Sequence, residues 1–227
     1  MVKQERAART RETLIRAAAE VFAEQGFVTA SIAAISRRAG VSAGGLHFHF
    51  ESKTALAQAV EDRAAEALRE VTAGRRAVAG PVDGNALQVL VDATHDLMAL
   101  LAADVVVRAG FGLCADVSRT SGVDLRRQWR LWVEEATRAA ARQGELADGL
   151  SPQDAASVVV ASTVGLEVLG AGERDWLAPH ALARFWALVL PRLAADRTLG
   201  VLVPEGAGGS AGVTGRDCVA QRGEIPD

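Results

Sequence analysis

The sequence is poor in cysteine and in aromatic residues. Cys114 and Cys218 are its two cysteines, one within a helical pattern and one in a polar segment. This excludes a disulfide framework and a cysteine-rich metal site, and we expect two free thiols. Aromatic residues make up 4% of the chain, tyrosine is absent, and alanine recurs in runs such as RAAAEVFAEQG. Because residues that favour strands are scarce, the composition predicts an all-α protein.

Long apolar runs are also missing. Its apolar runs, such as VVVA and WALVL, are far shorter than the roughly 18 to 20 residues that a membrane span needs. The first residues, MVKQERAARTRE, lack the apolar stretch of a signal peptide. We therefore expect a cytoplasmic protein without a membrane partner. Hydrophobic residues reach 49% of the 227 positions, enough for a substantial core.

Positive charge is concentrated at one end of an acidic chain. The formal net charge is -3, yet residues 1–53 contain eight Lys or Arg against five Asp or Glu. A basic segment within an acidic chain indicates that this segment, and not the whole protein, meets a polyanion.

The basic segment has the pattern of three short helices. Apolar residues recur at three and four positions up to Gln25, and Gly26 follows where a left-handed cap ends a helix. Ser31 and Ser42 are suited to cap two further helices, which the glycine-containing turn AGV separates. Two short helices joined by such a turn predict a helix-turn-helix domain over residues 1–53, with the later helix presented to the DNA major groove.

The rest of the chain reads as a second helical domain over residues 54–198. A long helix is predicted up to about residue 73, followed by helices near 85–102, 104–113, 123–143, 152–170 and 179–196. Residues 199–227 are rich in glycine and predict a mobile tail. Within it, GAGGSAG superficially resembles a phosphate-binding loop, but no strand precedes it and no helix follows.

The segment TASIAAISRRAGVSAGGLHFHFESKTAL resembles the DNA-binding segment of TetR-family transcriptional repressors. Within that family, LHFHFESK together with RQGEL and a helix that carries tryptophan is most similar to the γ-butyrolactone receptors of actinobacteria, including receptor-like members that respond to other signals. The resemblance implies a homodimeric repressor of antibiotic biosynthesis or its regulators. Such a repressor binds double-stranded operator DNA of pseudo-palindromic sequence and leaves it when a small effector binds.

DNA contacts are predicted from the motif and from the basic residues around it. By resemblance, His47 replaces a tyrosine that contacts phosphate, and Lys53 matches a phosphate-binding lysine at the start of the next helix. The family often has lysine at Ala43, a loss for which nearby arginines can compensate, although each arginine is as readily part of a solvated basic face. We expect Leu46, Phe48, His49 and Phe50 to pack structurally. The predicted DNA-binding residues are Arg11, Ser31, Arg37, Arg38, Ser42, Ala43, Gly44, Gly45, His47 and Lys53.

No catalytic, metal or cofactor site is predicted. His47 and His49 are two positions apart, so on a helix they point about 200° from each other and cannot share a metal ion. The segment 85–170 lacks a Ser-His-Asp set or an evident carboxylate pair. A small helical enzyme is thus the weaker alternative, and a repressor that senses many apolar drugs is the stronger one.

The second domain combines apolar residues with a few hydroxyls, the composition of a pocket for a small and mostly apolar ligand. By resemblance, a tryptophan covers the ligand, and Trp129 is preferred to Trp132, although both can simply fill a core. The predicted ligand-binding residues are Leu87, Val91, Thr94, Met98, Val106, Phe111, Trp129, Trp132, Val133, Val159 and Thr163.

The last two long helices are apolar over more than one face, which favours a dimer interface over an ordinary monomer core. Small residues four apart on the first of them would allow close approach of a partner helix. The predicted interface residues are Ala161, Gly165, Leu169, Leu182, Phe185, Trp186 and Val189.

Overall fold

The protein is all-α, as the composition predicts. The computed structural model describes residues 2–78, 85–116, 119 and 123–207. Its helices are α1 (Val2–Thr29), α2 (Ile32–Ala39), α3 (Ala43–His49), α4 (Lys53–Val78), α5 (Ala86–Ala103), α6 (Val105–Cys114), α7 (Leu125–Arg142), α8 (Pro152–Gly172), α9 (Pro179–Leu193) and α10 (Asp196–Leu199). A short 3-10 helix, Arg174–Leu177, lies between α8 and α9. In this described part, β pairing is limited to one isolated bridge between Leu146 and Ala194.

The three N-terminal helices form where the local signals predict. Ser31 and Ser42 are the N-caps of α2 and α3, and their hydroxyls accept from Ala34 N and Gly45 N, each at 3.1 Å. Gly40 ends α2 in the left-handed conformation with φ 66°, as favours glycine. Gly26 also has a positive φ, 73°, and breaks α1, although helical turns continue to Thr29. The caps and the tight turn fix the angle between α2 and α3.

The core of these helices extends beyond residue 53. Leu56 and Val60 of α4 and Val106 of α6 are buried in one cluster with Leu14 and Ile35. We call residues 2–60 the N-terminal unit; α6 packs beneath it. Val106 therefore belongs to this core and is separate from the cluster that holds the other apolar residues predicted to bind the ligand.

Helices α4 and α6 approach each other unusually closely at Gly110. A Cβ atom at Gly110 would lie 2.4 Å from Ala64 Cβ and 3.5 Å from the carbonyl oxygen of Val60. No side chain fits there without moving one helix, so the glycine sets the distance between α4 and α6.

The larger core lies among α5, α7, α8 and α9, which with α10 form what we call the C-terminal domain. Trp129 and Trp186 are its largest fully buried side chains. Glu145 completes the N-terminus of α5, because its carboxylate accepts from Ala86 N at 3.1 Å and Leu87 N at 2.8 Å. Burial raises the pKa of this carboxyl, and the two backbone donors oppose that rise.

The chain does not leave the fold at α10. Residues 203–207 lie on α5, where Gln88 bonds both the N–H (2.8 Å) and the carbonyl (3.3 Å) of Val203. His95 Nε2 is 2.8 Å from the carbonyl oxygen of Pro204, and Asp92 accepts from Ala207 N at 2.8 Å. The tail predicted to be mobile from residue 199 thus contacts α5 as far as residue 207, and its remainder, with Cys218, lies outside the described residues.

Two described helices, α5 and α8, are long and apolar enough to cross a membrane by length and composition alone. Over its apolar window α5 is 56% buried inside the protein, as expected of a core helix, whereas α8 is 28% buried. The exposed apolar surface of α8 therefore needs a separate explanation.

Candidate DNA interface and effector site

Helix α3 presents polar, small and aromatic groups outward. Ala43, Gly44, His47 and Phe48 are exposed, and Leu46 holds the helix to the core with no exposed surface. Phe48 is 83% exposed, so the prediction that it packs structurally is wrong. The sequence already carried the signal, because Leu46 and Phe50 are four positions apart and share a face, and Phe48 points about 200° away from Leu46.

The two adjacent glycines have different surroundings. A Cβ at Gly45 would lie 2.8 Å from Val41 Cγ1 and 3.2 Å from Ser42 Oγ, so a side chain there would force Val41 to shift. A Cβ at Gly44 would meet no described atom within 4 Å. Internal packing explains Gly45, and Gly44 remains available for close approach by an external backbone.

The two arginines at the end of α2 differ in whether they form ion pairs with described residues. Arg37 is exposed and has no ion pair with any described residue. Arg38 instead bonds Glu24 through both terminal nitrogens, at 2.9 and 2.7 Å, and Glu20 at 3.2 Å. The hydrogen bonds to these carboxylates raise the pKa of Arg38, and the Arg38 hydrogen bond lowers that of Glu24. Arg38 is thus held against α1, and its DNA contact stays a prediction.

Lys53 has a structural position that the sequence did not reveal. Its ammonium donates to the carbonyls of Phe27 (2.8 Å), Val28 (3.1 Å) and Ala30 (2.8 Å). It also lies 4.6 Å from the centre of the Phe27 ring. These three bonds join α1 to α4 through Lys53, and the phosphate contact of Lys53 stays a prediction. Arg11 lies over the Phe50 ring at 4.9 Å.

The predicted ligand-binding residues other than Val106 are buried together in the core of the C-terminal domain, to which α6 contributes Phe111. Trp129 and Trp132 stack with ring centres 5.3 Å apart and planes 17° apart. The Trp129 indole N–H donates to Thr163 Oγ1 at 2.9 Å, and the Trp186 indole N–H donates to Thr94 Oγ1 at 2.8 Å. The hydroxyls predicted to face a ligand thus bond tryptophans, so an effector that enters between them must replace these contacts or leave them in place.

The surface of α8 and α9 carries exposed apolar side chains. Leu169 is 48% exposed, as predicted for an interface residue, and Val168 and Leu188 are 50% and 79% exposed. Ala161 is exposed, and Gly165, Phe185 and Val189 are partly exposed. Leu182 and Trp186, also predicted for the interface, have no exposed surface and fill the subunit's own core. Leu188, which was not among the predicted interface residues, is instead the most exposed of these apolar side chains.

Among the described residues, no three His, Cys, Asp or Glu side chains lie together as a metal site would need. Cys114 forms no disulfide with a described residue, and its Sγ lies 3.1 Å from the carbonyl oxygen of Val123.

Comparison with known proteins agrees with this arrangement. The profile of bacterial regulatory proteins of the tetR family matches residues 14–60. The A-factor receptor protein of Streptomyces griseus is 31% identical over 212 residues, which cover 91% of this chain and 71% of the receptor.

Solved structures show the same fold over most of the chain. A γ-butyrolactone receptor described as ArpA-like superposes with a TM-score of 0.73 and 26% identity, covering 85% of this chain and 92% of that one. CprB from Streptomyces coelicolor, solved in complex with its biological operator sequence, gives a TM-score of 0.72 and 26% identity over 86% of this chain and 93% of CprB. These relatives are regulators and not enzymes. The chain belongs to the TetR family of DNA-binding transcriptional regulators and is related to its γ-butyrolactone receptors.

Proposed function

We propose that the protein is a homodimeric repressor that binds pseudo-palindromic operator DNA in the cytoplasm and is released by a small, mostly apolar signalling molecule. The exposed face of α3 carries this proposal: a recognition helix with an aromatic ring, a histidine and a side-chain-free Gly44 turned outward. Such a helix fits the major groove, where an apolar ring can contact thymine methyl groups. Arg37 and His47 supply donors for the phosphates beside the groove.

The effector site is proposed at the stacked tryptophans of the C-terminal domain. Apolar walls with a few hydroxyls suit a small lactone or an antibiotic intermediate. The similarity to the A-factor receptor supports a γ-butyrolactone-like effector and genes of secondary metabolism. An effector that binds one conformation of this domain better than another shifts the population away from the DNA-binding form.

The dimer is proposed at the exposed apolar surface of α8 and α9. We expect Leu188→Asp to convert the protein from dimer to monomer in sedimentation equilibrium, because a charge there would be buried without a partner. The exposed apolar residue Val201, changed to Asp, is the control. A wild-type protein that sediments as a monomer would contradict the interface.

Operator binding is testable by selection from random DNA. Wild-type protein selects its site from a random duplex library, and fluorescence anisotropy then measures affinity at several salt concentrations. We expect Phe48→Ala to weaken binding about tenfold, which corresponds to about 1.4 kcal/mol. Val201→Ala, an exposed apolar change far along the chain, should leave affinity unchanged. Selection of no site, or equal binding by Phe48→Ala, would contradict the assigned interface.

The salt dependence separates charge contacts from base contacts. Each phosphate contact makes the plot of log affinity against log salt steeper by about 0.9. Arg37→Ala, which removes one contact from each subunit, should therefore make the slope shallower by about 1.8 in a dimer. Arg127→Ala, an exposed arginine on α7, is the control and should leave the slope unchanged. Release of the selected duplex by one lactone series indicates a hormone receptor, whereas release by unrelated apolar drugs indicates a broad sensor.

A further inference from the structure

Arg119, in the connection between α6 and α7, is buried against the N-terminal unit. Its side chain is 5% exposed, and its Nη1 lies 2.9 Å from Oε1 of Glu61, whose side chain on α4 has no exposed surface. Its Nη2 donates to the other Glu61 oxygen at 3.3 Å. A buried ion pair is costly to form and far more costly to break, so this contact fixes the connection to α4.

The same guanidinium also contacts α1. The Arg119 Cζ lies 4.6 Å from the centre of the Phe27 ring, and the Lys53 ammonium lies 4.6 Å from it as well. The Phe27 ring thus contacts two cations, Lys53 of α4 and Arg119. Arg119 therefore touches α1 and α4 together, the two helices that support α2 and α3.

A second ion pair fixes the other end of the connection. Arg126, seven positions after Arg119, lies in the first turn of α7 and bonds Glu167 of α8 through Nη2 at 2.8 Å and Nε at 2.9 Å. Burial raises the pKa of Glu167, and Arg126 opposes that rise. Trp129, whose N–H bonds Thr163 of α8, follows three residues later. The start of α7 is thus anchored beside the proposed effector site.

We propose that Arg119 is a positioning residue: by contacting Phe27 of α1 and Glu61 of α4 together, it keeps the N-terminal unit in the arrangement that binds DNA. The proposal rests on the proposed function and assigns the arrangement of α3 to one contact. Because Arg126 anchors α7 seven positions further along the chain, Arg119 is close in sequence to the proposed effector site. When Arg119 loses its contacts, α1 and α4 can shift against each other, and α3 shifts with them.

The test separates positioning from stability. We expect Arg119→Met to weaken binding to the selected duplex at least tenfold. Arg119→Lys keeps the charge, so its decrease in log affinity should be at most half of the decrease that Arg119→Met causes. The matched control is Arg63→Met, because Arg63 pairs at the surface with Glu12 of α1 and Glu66 of α4; its affinity should stay within twofold of wild type.

A double variant addresses misfolding. Glu61→Gln with Arg119→Met removes the buried charge together with its arginine, so its urea unfolding midpoint should return toward that of wild type. Affinity should remain at least tenfold weaker. A spin label is attached at Glu51→Cys in a protein that also carries Cys114→Ser and Cys218→Ser. The distance distribution between the labels of the two subunits should be broader in the double variant than in the protein without the Glu61 and Arg119 changes.

Two results would overturn the proposal. One is a double variant of restored stability that binds within twofold of wild type with an unchanged distance distribution. The other is an Arg63→Met variant that loses as much affinity as Arg119→Met. A wild-type protein that selects no duplex would instead refute the proposed function itself.

Discussion

The N-terminal unit and the C-terminal domain treat their aromatic and polar groups in opposite ways. On α3 an aromatic ring is exposed to solvent and a glycine faces open space. In the C-terminal domain the large indoles of Trp129 and Trp186 are buried, and each N–H has a threonine acceptor. The N-terminal unit leaves these groups exposed on α3, whereas the C-terminal domain buries its indoles and bonds them within the protein.

This difference indicates how each region meets its partner. DNA is a large and stiff surface, so the N-terminal unit can be complete in structure and still have its contacts unmade. An effector must instead enter a core that is already packed, which links its binding to a rearrangement of α7 and α8. The free energy of unfolding should therefore respond strongly to substitutions in the core of the C-terminal domain. It should respond weakly to substitutions on the exposed face of α3.

The largest expected effect tests the closed core. Trp186→Ala should lower the free energy of unfolding by about 4 kcal/mol, since it leaves a cavity and removes the donor to Thr94. The control is Trp176→Ala on the 3-10 helix, where the indole is 41% exposed. Urea unfolding followed by circular dichroism gives both values, and similar losses for the two tryptophans would remove the contrast between the regions.

The second prediction concerns Lys53. Lys53→Met should lower the free energy of unfolding by about 2 kcal/mol, because three carbonyls at the end of α1 lose a charged donor. The salt slope of DNA binding should stay the same, in contrast to Arg37→Ala. A reduced slope with full stability would instead assign Lys53 to a phosphate.

The third prediction compares the adjacent glycines. Gly45→Ala should destabilise the protein by about 1.5 kcal/mol, since its Cβ would collide with Val41 and disturb the Ser42 cap. Gly44→Ala should stabilise it by about 0.5 kcal/mol through helix propensity and yet weaken DNA binding. Thermal unfolding measures the stability of both variants, and fluorescence anisotropy measures their DNA affinity. A Gly44→Ala variant that is stabilised and binds DNA with full affinity would contradict close approach by DNA at Gly44.

The last prediction concerns a small gain in stability at Ser36. Its hydroxyl is buried on α2 and has no hydrogen-bond partner among the described residues. Ser36→Ala should raise the free energy of unfolding by about 1 kcal/mol. Ser157→Ala, an exposed helix position on α8, isolates helix propensity and should gain less. Equal gains would show that Ser36 carries no desolvation cost.

The sequence was sufficient for features that depend on local chemistry. Helix content, the Ser31 and Ser42 caps and the Gly40 turn follow from neighbouring residues, and the apolar core of the C-terminal domain follows from periodicity. Charged side chains were harder, because Arg38 and Lys53 reach partners 14 to 26 positions away. Nothing local distinguishes such a cation from Arg37, which stays exposed.

Faces of the C-terminal helices were also only partly predictable. Leu182 and Trp186 are as apolar as Leu188, and the packing of α9 against α5 decides which of them is buried. Glu61 and Arg119 lie on different elements, and the pair exists only in the folded chain. Phe48 is the exception, because its outward direction follows from the helical spacing alone.

The segment on α5 has a consequence for tracing this protein through evolution. Gln88, His95 and Asp92 bind main-chain atoms of residues 203–207, and a Cβ at Gly206 would lie 3.1 Å from the His95 ring. Selection to keep this docking therefore falls on α5 and on one glycine, and the other side chains of the segment are free to drift. Homologues that retain this docking should be recognisable from the glutamine, aspartate and histidine of α5, even where their C-terminal sequences no longer align.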